Sequence, residues 1–299
     1  MRMIPKKVLS LVCIAGLLPA CSSSELAETA RPNIVVTYSV LGSVVADLVG
    51  DAADVTTLIP DGQDPHDFQP SARDIEAINN ADIVVSNGLD FEEGLEDVLA
   101  SAIDSGVSVY MIGENITVRE HDEDHAEEGG HAHGAGDPHL WLSPMSFAQA
   151  LPSLTAAINK ATGLSIDETA ALDQLTLLDN EIKEVIGSVS SCVLVSGHDE
   201  MGYFADRYGC TVIGAIIPSF STTSEATAKQ IADLKVLAAS KNVKAVFTGL
   251  GTPAEVSEQL ASELGIAAVS LMFHRCNLYE YVNQSWQEFC LYGTCTQNN

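Results

Sequence analysis

At 299 residues, 46% of them hydrophobic, the chain is long enough for one large or two medium domains with real cores. Its 41 acidic against 14 basic residues give a formal net charge of −27, which repels phosphate backbones and excludes a nucleic-acid partner. Glycine and proline, at 22 and 11 residues, stand at ordinary globular levels and exclude a fibrous or low-complexity chain.

The N-terminus stands apart from that globule. Arg2, Lys6 and Lys7 precede an apolar run over 8–18, and Leu18-Pro19-Ala20-Cys21 follows. Residues 1–20 therefore read as an export signal, too short to span a membrane. A cysteine directly after a small residue resembles a bacterial lipobox. Cys21 is expected to be the lipidated first residue of the mature protein and 21–32 its tether, with plain secretion the alternative. No later apolar stretch approaches membrane-spanning length, so the mature body is expected to be soluble, extracytoplasmic and held to the membrane by lipid. The later cysteines, Cys192, Cys210, Cys276, Cys290 and Cys295, lack C-x-x-C spacing, which argues against a thiolate zinc site. Disulfides are permitted in an exported chain, but spacing does not reveal their pairing.

In the body, the β-branched run 33–40 predicts a strand, 44–49 with its flanks a short helix, and 55–59 a second strand ending at Pro60. A turn-rich loop, DGQDPHDFQPS, follows. Ser71 is placed to cap a helix over 72–79. Strand 83–86, helix 91–105 and strand 107–112 lead into a histidine-rich segment. From Cys192 the order recurs: strand 193–196, helix around 201–208, strand 211–217 ending at Pro218, helix 226–239, strand 243–248, helix 253–264 and strand 266–271. Pro60 matches Pro218 and Gly88 matches Gly249 at an offset near 160 residues, which predicts two similar α/β lobes with parallel sheets. The first spans 33–165 and the second 190–299. Between them Ser165-Ile166-Asp167-Glu168 has the form of a capping box. Leu172, Leu175, Leu178, Ile182 and Val185 then recur at helical spacing, predicting one linking helix over 166–189, long enough to brace both lobes. Ligands in such sheets lie beyond the carboxyl ends of the strands, so a site is expected in the inter-lobe cleft.

Eight histidines are unevenly spread. His121, His125, His131, His133 and His139 fall in 119–144 among seven acidic residues, a density that suits a divalent metal. Gly129, Gly130, Gly134 and Gly136 make 119–136 a solvated loop, and a charged surface loop is its plainer reading. His139 differs, because Asp137-Pro138 precedes it and Leu140-Trp141-Leu142 follows. Asp-Pro-His occurs again at Asp64-Pro65-His66, and His198 lies beyond a strand in the second lobe. Proline fixes the backbone before each imidazole, and the aspartate is placed to hold its second ring nitrogen. His66, His139 and His198 are thus candidate ligands of one metal in the cleft. As structural alternatives, His66 would cap a turn and His198 would hydrogen-bond the end of its sheet.

Gly-x-Asp-Pro-His at His66, Asp-Pro-His-x-Trp-Leu at His139, and His198 followed by Tyr203-Phe204 together resemble the zinc- or manganese-binding solute-binding proteins of bacterial ABC importers. The resemblance runs from about Asn33 to Leu271. It implies two α/β lobes joined by a long helix, a metal in the cleft held by His66, His139 and His198, and delivery to a membrane permease by a monomer. It also implies that His121, His125, His131 and His133 serve an auxiliary metal-binding loop. The family's carboxylate fourth ligand has no counterpart here, since no aspartate follows Asp233. His274, Glu280 or water is left for that position. The tail 272–299, with three cysteines and three tyrosines, departs from the long amphipathic helix usual in the family.

Three imidazoles favour Zn2+ over Mn2+, which more often takes carboxylates. Capture of zinc for an ABC permease is the leading expectation, with no enzymatic activity. A zinc hydrolase with an open fourth position and Glu200 as general base is the second reading, although H-E-x-x-H is lacking. A surface adhesin or metal buffer is the third.

Overall fold

The computed structural model describes residues 31–120 and 136–271. The export signal, Cys21, the loop histidines His121, His125, His131 and His133, and the tail with His274 and Glu280 lie outside the described residues.

Two four-stranded parallel sheets organise the rest. The first holds β1 (Asn33–Tyr38), β2 (Asp54–Ile59), β3 (Ile83–Ser86) and β4 (Val109–Met111) in the order β2-β1-β3-β4. The second holds β5 (Val193–His198), β6 (Thr211–Ile217), β7 (Ala245–Thr248) and β8 (Ala267–Ser270) in the order β6-β5-β7-β8. The two orders are the same, as the internal repeat predicts. Their central strands are unbroken apolar runs such as Ile34-Val35-Val36 and Ile83-Val84-Val85, all buried, as strands covered on both faces must be. In each sheet the order turns back at its first strand. The crevices therefore open at the ends of β1 and β3 in one lobe and of β5 and β7 in the other.

Helix α1 (Ser39–Val49) starts directly after β1, so the strand stops two residues short of the predicted Val40. Gly42 lets it do so: a Cβ there would lie 2.3 Å from Thr57 Oγ1 on β2. Helix α2 (Ala72–Asn79) matches its predicted bounds, with the Ser71 and Asp74 side chains and backbones closing a capping box. The predicted helix 91–105 is a 3-10 turn followed by α3 (Glu96–Asp104).

The span between the sheets needs correction. It contains two helices, α4 (Pro144–Thr162) and α5 (Thr169–Gly187), each of 19 residues. The first had not been predicted, although Pro144 stands at its start, Phe147, Leu151, Leu154 and Ile158 share its buried face, and left-handed Gly163 ends it. Proline 152 within it masked the pattern. The predicted capping box does not form. The Asn159 side chain binds both the N–H of Ile166 (2.8 Å) and its carbonyl (3.0 Å), holding that segment in a turn. Helix α5 then begins at Thr169, whose N–H donates to Asp167 Oδ1 at 2.8 Å.

Helix α5 packs against α1 of the first lobe and α6 (Gly202–Tyr208) of the second. Helices α7 (Ala228–Ser240) and α8 (Ala254–Leu264) complete the second lobe. One apolar cluster runs from Ile34 through Leu151 and Ile182 to Phe204 and Val269, so the lobes share a core. A disulfide, Cys192–Cys210, ties the residue before β5 to the residue before β6. Closing a loop of this length contributes about 3 kcal/mol.

The buried Asp179 on α5 fastens that helix to α6 of the second lobe. It accepts from Arg207 Nε (2.7 Å) and Nη2 (2.6 Å), Lys183 Nζ (2.8 Å) and Tyr208 Oη (3.2 Å). Burial pulls its carboxyl upward, but the Arg207 and Lys183 hydrogen bonds outweigh this and hold it below the usual carboxylate range. Its stabilisation is therefore full above the unfolded value near 3.9 and is lost as pH falls through the depressed folded value. Asp179→Asn should cost about 2–3 kcal/mol at pH 7 in urea denaturation, and the gap to wild type should close under acid.

Candidate metal centre

Three elements deliver an imidazole to one point. His66 lies in the loop leaving β2, and His139 lies just before the 3-10 turn Leu140–Leu142 that enters α4. His198 was expected on a loop beyond its strand. Instead β5 runs on through Gly197, and His198 is its last residue, paired with Ile217. Gly197 permits this, since a Cβ there would lie 2.3 Å from Thr252 Oγ1.

The three imidazoles are only 4%, 1% and 2% exposed, and one ring nitrogen from each lies within 4.8 Å of the other two. His139 Nε2 and His198 Nε2 are 2.9 Å apart. That is hydrogen-bond distance; tetrahedral zinc with Zn–N near 2.0–2.1 Å separates its ligand nitrogens by about 3.3 Å, so a shared ion would need the two rings to part only slightly. The His66 ring centre is 5.6 Å and 5.7 Å from the other two, and a shared ion would draw it inward. Neither ring nitrogen of His66 has a hydrogen-bond partner. Buried polar atoms in that state are costly, and a cation in the cluster would satisfy one of them.

A carboxylate stands behind each imidazole. Asp137 Oδ1 contacts His139 Nδ1 at 2.9 Å and accepts the His139 N–H at 3.0 Å, the expected arrangement for Asp-Pro-His. The other Asp-Pro-His differs. Asp64 reaches His66 at its backbone N–H, at 3.1 Å, and not at its ring, and it is Glu93 whose Oε1 lies 3.6 Å from His66 Nδ1. Glu200 Oε1 lies 3.6 Å from His198 Nδ1. With Nδ1 facing acid in all three cases, Nε2 is the atom left to meet a metal, and the ring orientation is set from behind.

Beneath the cluster a buried polar network holds the Asp-Pro-His segment from the end of β3. Asn87 Nδ2 donates to the Pro138 carbonyl at 2.9 Å, while Tyr38 Oη donates to Asn87 Oδ1 at 2.9 Å. The Asn87 N–H donates to Glu92 Oε1 at 2.8 Å, and Thr37 Oγ1 donates to the same oxygen. Burial still pushes Glu92 above the usual carboxylate range, against those hydrogen bonds. Phe91 and Trp141 wall the site, with ring centres 4.9 Å from His66 and 5.3 Å from His139. Asn87, Glu92 and Glu93 were missed in the sequence. The available signal was a polar residue set directly after the apolar strand Ile83–Ser86.

Two like lobes with a histidine cluster between their strand ends define a two-lobed metal-binding protein. Residues 34–279 match the model of the family described as zinc-uptake complex component A, periplasmic (ZnuA), and the chain belongs to that family. A putative metal-binding protein of Treponema pallidum is 26% identical over 277 residues, covering 88% of this chain and 87% of that one. The high-affinity zinc uptake system protein ZnuA of Bacillus subtilis is 28% identical over 264 residues, covering 83% and 82%. Among solved structures, the periplasmic zinc-binding protein TroA of Treponema pallidum has the same fold, with a TM-score of 0.76 at 22% identity, covering 88% of this chain and 99% of that one.

Glu200 is 1% exposed, and neither of its carboxylate oxygens has a hydrogen-bond partner. Burial first, then the charges of Asp64, Asp137 and Asp199, push its carboxyl well above the usual range. The folded, metal-free chain thus holds this proton more tightly than the unfolded chain. Stability from this group is therefore present at low pH and declines as pH rises above about 4.3. Glu200→Gln should stabilise the metal-free protein at pH 7 by about 1–2 kcal/mol, with no difference near pH 4. Urea denaturation of chelator-stripped protein at the two pH values measures this, and a destabilised variant at pH 7 would contradict it.

Proposed function

We propose that this protein captures zinc outside the cytoplasm through His66, His139 and His198 and delivers it to an ABC-type permease. The observation that carries the reading is the convergence of three buried imidazoles, two from the first lobe and one from the second. Membership of a zinc-uptake family makes the chain a transport component, and the names of its relatives in Bacillus subtilis and Treponema pallidum point to the same metal. The chemistry agrees, since three neutral imidazoles suit zinc better than manganese.

Geometry weighs against the hydrolase reading. Glu200 lies on the Nδ1 side of His198, behind the ligand rather than beside the ion it would have to serve. The finer parts of the proposal are a lipid anchor on Cys21, a monomer, an auxiliary collecting role for His121, His125, His131 and His133, and His274 or water as the fourth ligand.

Calorimetry of the full chain with zinc should give one tight site, which the triple variant His66→Ala, His139→Ala, His198→Ala lacks. Tight binding that survives the triple variant would refute the assignment. Because zinc must compete with protons for imidazole, affinity should fall as pH is lowered through about 6.5. Deleting 121–135 should leave the tight site and remove weaker ones. Metabolic labelling with a radioactive fatty acid should mark the wild type and not Cys21→Ser, and labelling of both would dismiss the anchor at that residue.

A further inference from the structure

Two of the three imidazoles belong to the first lobe, yet what holds them is held in turn by the second. On one rim of the cleft, Asp64 accepts the His66 N–H and Glu93 faces His66 Nδ1. The loop leaving β6 grips both carboxylates. Thr222 Oγ1 donates to Asp64 Oδ2 at 2.6 Å, and Ser221 Oγ donates to Glu93 Oε1. Gly251, beyond β7, closes over this contact: a Cβ there would stand 2.3 Å from Asp64 Oδ2 and 2.5 Å from Thr222 Cγ2.

The opposite rim repeats the plan with different groups. Asp137 holds His139 with one oxygen and faces Arg119 Nη1 at 3.6 Å with the other. Arg119 in turn reaches α6. Its Nε donates to Asp206 Oδ2 at 2.9 Å, and its backbone N–H donates to Tyr203 Oη at 3.0 Å. Burial pushes the Tyr203 phenol up to about 12, so the hydroxyl is neutral at physiological pH. The Asp137 N–H closes the ring by donating to the Arg119 carbonyl at 2.8 Å. Only glycine fits at position 202 beneath this clasp, since a Cβ would stand 2.6 Å from both Arg119 Cζ and Asp137 Oδ2.

We infer that Ser221, Thr222 and Arg119 are positioning residues for the metal ligands. Through them the second lobe aims His66 and His139 by way of the carboxylates that touch those imidazoles, and they set the rate at which metal is released. The inference rests on the zinc-capture reading of the same site. Hydrogen bonds from a hydroxyl to an ionised carboxylate are short and strong, so Thr222 and Ser221 fix Asp64 and Glu93 closely. Arg119, anchored on Asp206, holds Asp137 through charge at 3.6 Å and through the backbone bond between them. A carboxylate freed from its clasp lets the imidazole it orients turn away from the ion. Loss of such supporting partners typically weakens metal sites 10- to 100-fold. Parting of the lobes would break both clasps at once and loosen two ligands before the third has withdrawn. By linkage, a bound ion that needs all three imidazoles favours the closed lobes to the same extent.

The full chain, loaded with one equivalent of zinc, is mixed with excess chromogenic chelator in a stopped-flow instrument. The wild type is compared with Ser221→Ala/Thr222→Val and with Arg119→Gln. Each variant should release zinc about tenfold faster, with an unchanged association rate, beside whatever modest fall in metal-free melting temperature the lost hydrogen bonds bring. Ser221→Ala/Thr222→Ser, which returns one hydroxyl, should recover part of the wild-type rate. Cobalt bound in place of zinc should show an altered visible spectrum in both clasp variants, reporting displaced ligands. Wild-type release rates in the double variant, with tight binding intact, would overturn the inference and leave zinc capture standing. Faster release with a wild-type cobalt spectrum would also overturn it, by showing a merely structural role. A wild-type chain that binds no zinc in the same assay would overturn the capture reading itself.

Discussion

The 2.9 Å approach of His139 and His198, which are 59 residues apart in the chain, is the constraint the rest of the fold serves. A parallel sheet sends all its carboxyl-end loops to one edge, so a single sheet offers a crevice with one wall. Two sheets of the same order, facing each other at those edges, offer two walls. They can hold two side chains at contact distance only if the lobes are fixed relative to each other. The continuous core through α4 and α5 supplies that rigidity, and Asp179 with Arg207 pins α5 to the second lobe. Flexible linkers would leave the two nitrogens to find each other against the entropy of both lobes.

Electrostatics follow from the choice of ligand. In the proposed site three neutral imidazoles would bring no charge to a dication, and burying an uncompensated charge is prohibitive. The compensation comes from behind the rings, where Asp137, Glu93 and Glu200 each face an Nδ1. A carboxyl buried like that of Glu200, with no hydrogen bond to either oxygen, is what a site built to receive a cation would hold. Its position makes sense as part of the loaded site, where the ion's charge reverses the cost. The aromatic walls of Phe91 and Trp141 raise the stakes on both sides by excluding water.

Much of this was legible in the chain, and the illegible parts share a cause. Strand positions, the twofold repeat and the three histidines follow from local patterns: apolar runs, matched prolines and the Asp-Pro-His tripeptides. Helix α4 was missed because Pro152 interrupts a stripe that is otherwise regular, and tertiary burial of Phe147, Leu151 and Leu154 overrides the local penalty. The capping box at Ser165 failed for the opposite reason, since a good local pattern lost to the Asn159 side chain binding Ile166. Glu93 and the Cys192–Cys210 pair carry no motif, and Asn87 carries only its place as a polar residue directly after an apolar strand. Their roles exist only once the sheets bring them to their partners.

The repeat also explains why the site is lopsided. Tyr38 and His198 are both the last residue of the first strand in their lobes, but Tyr38 points its hydroxyl at Asn87 and supports the Asp-Pro-His segment, while His198 joins the cluster itself. Asp64 and Thr222 are separated by 158 residues, the same interval as Pro60 and Pro218, so they are equivalent positions that meet across the cleft. Two identical aspartates there would repel, and two threonines would lack the negative charge. A carboxylate facing a hydroxyl is the pairing that closes the interface with one hydrogen bond and no unpaired donor. The matching strand order and the shared 158-residue interval thus set two corresponding loops face to face, one carrying Asp64 and His66 and the other Thr222.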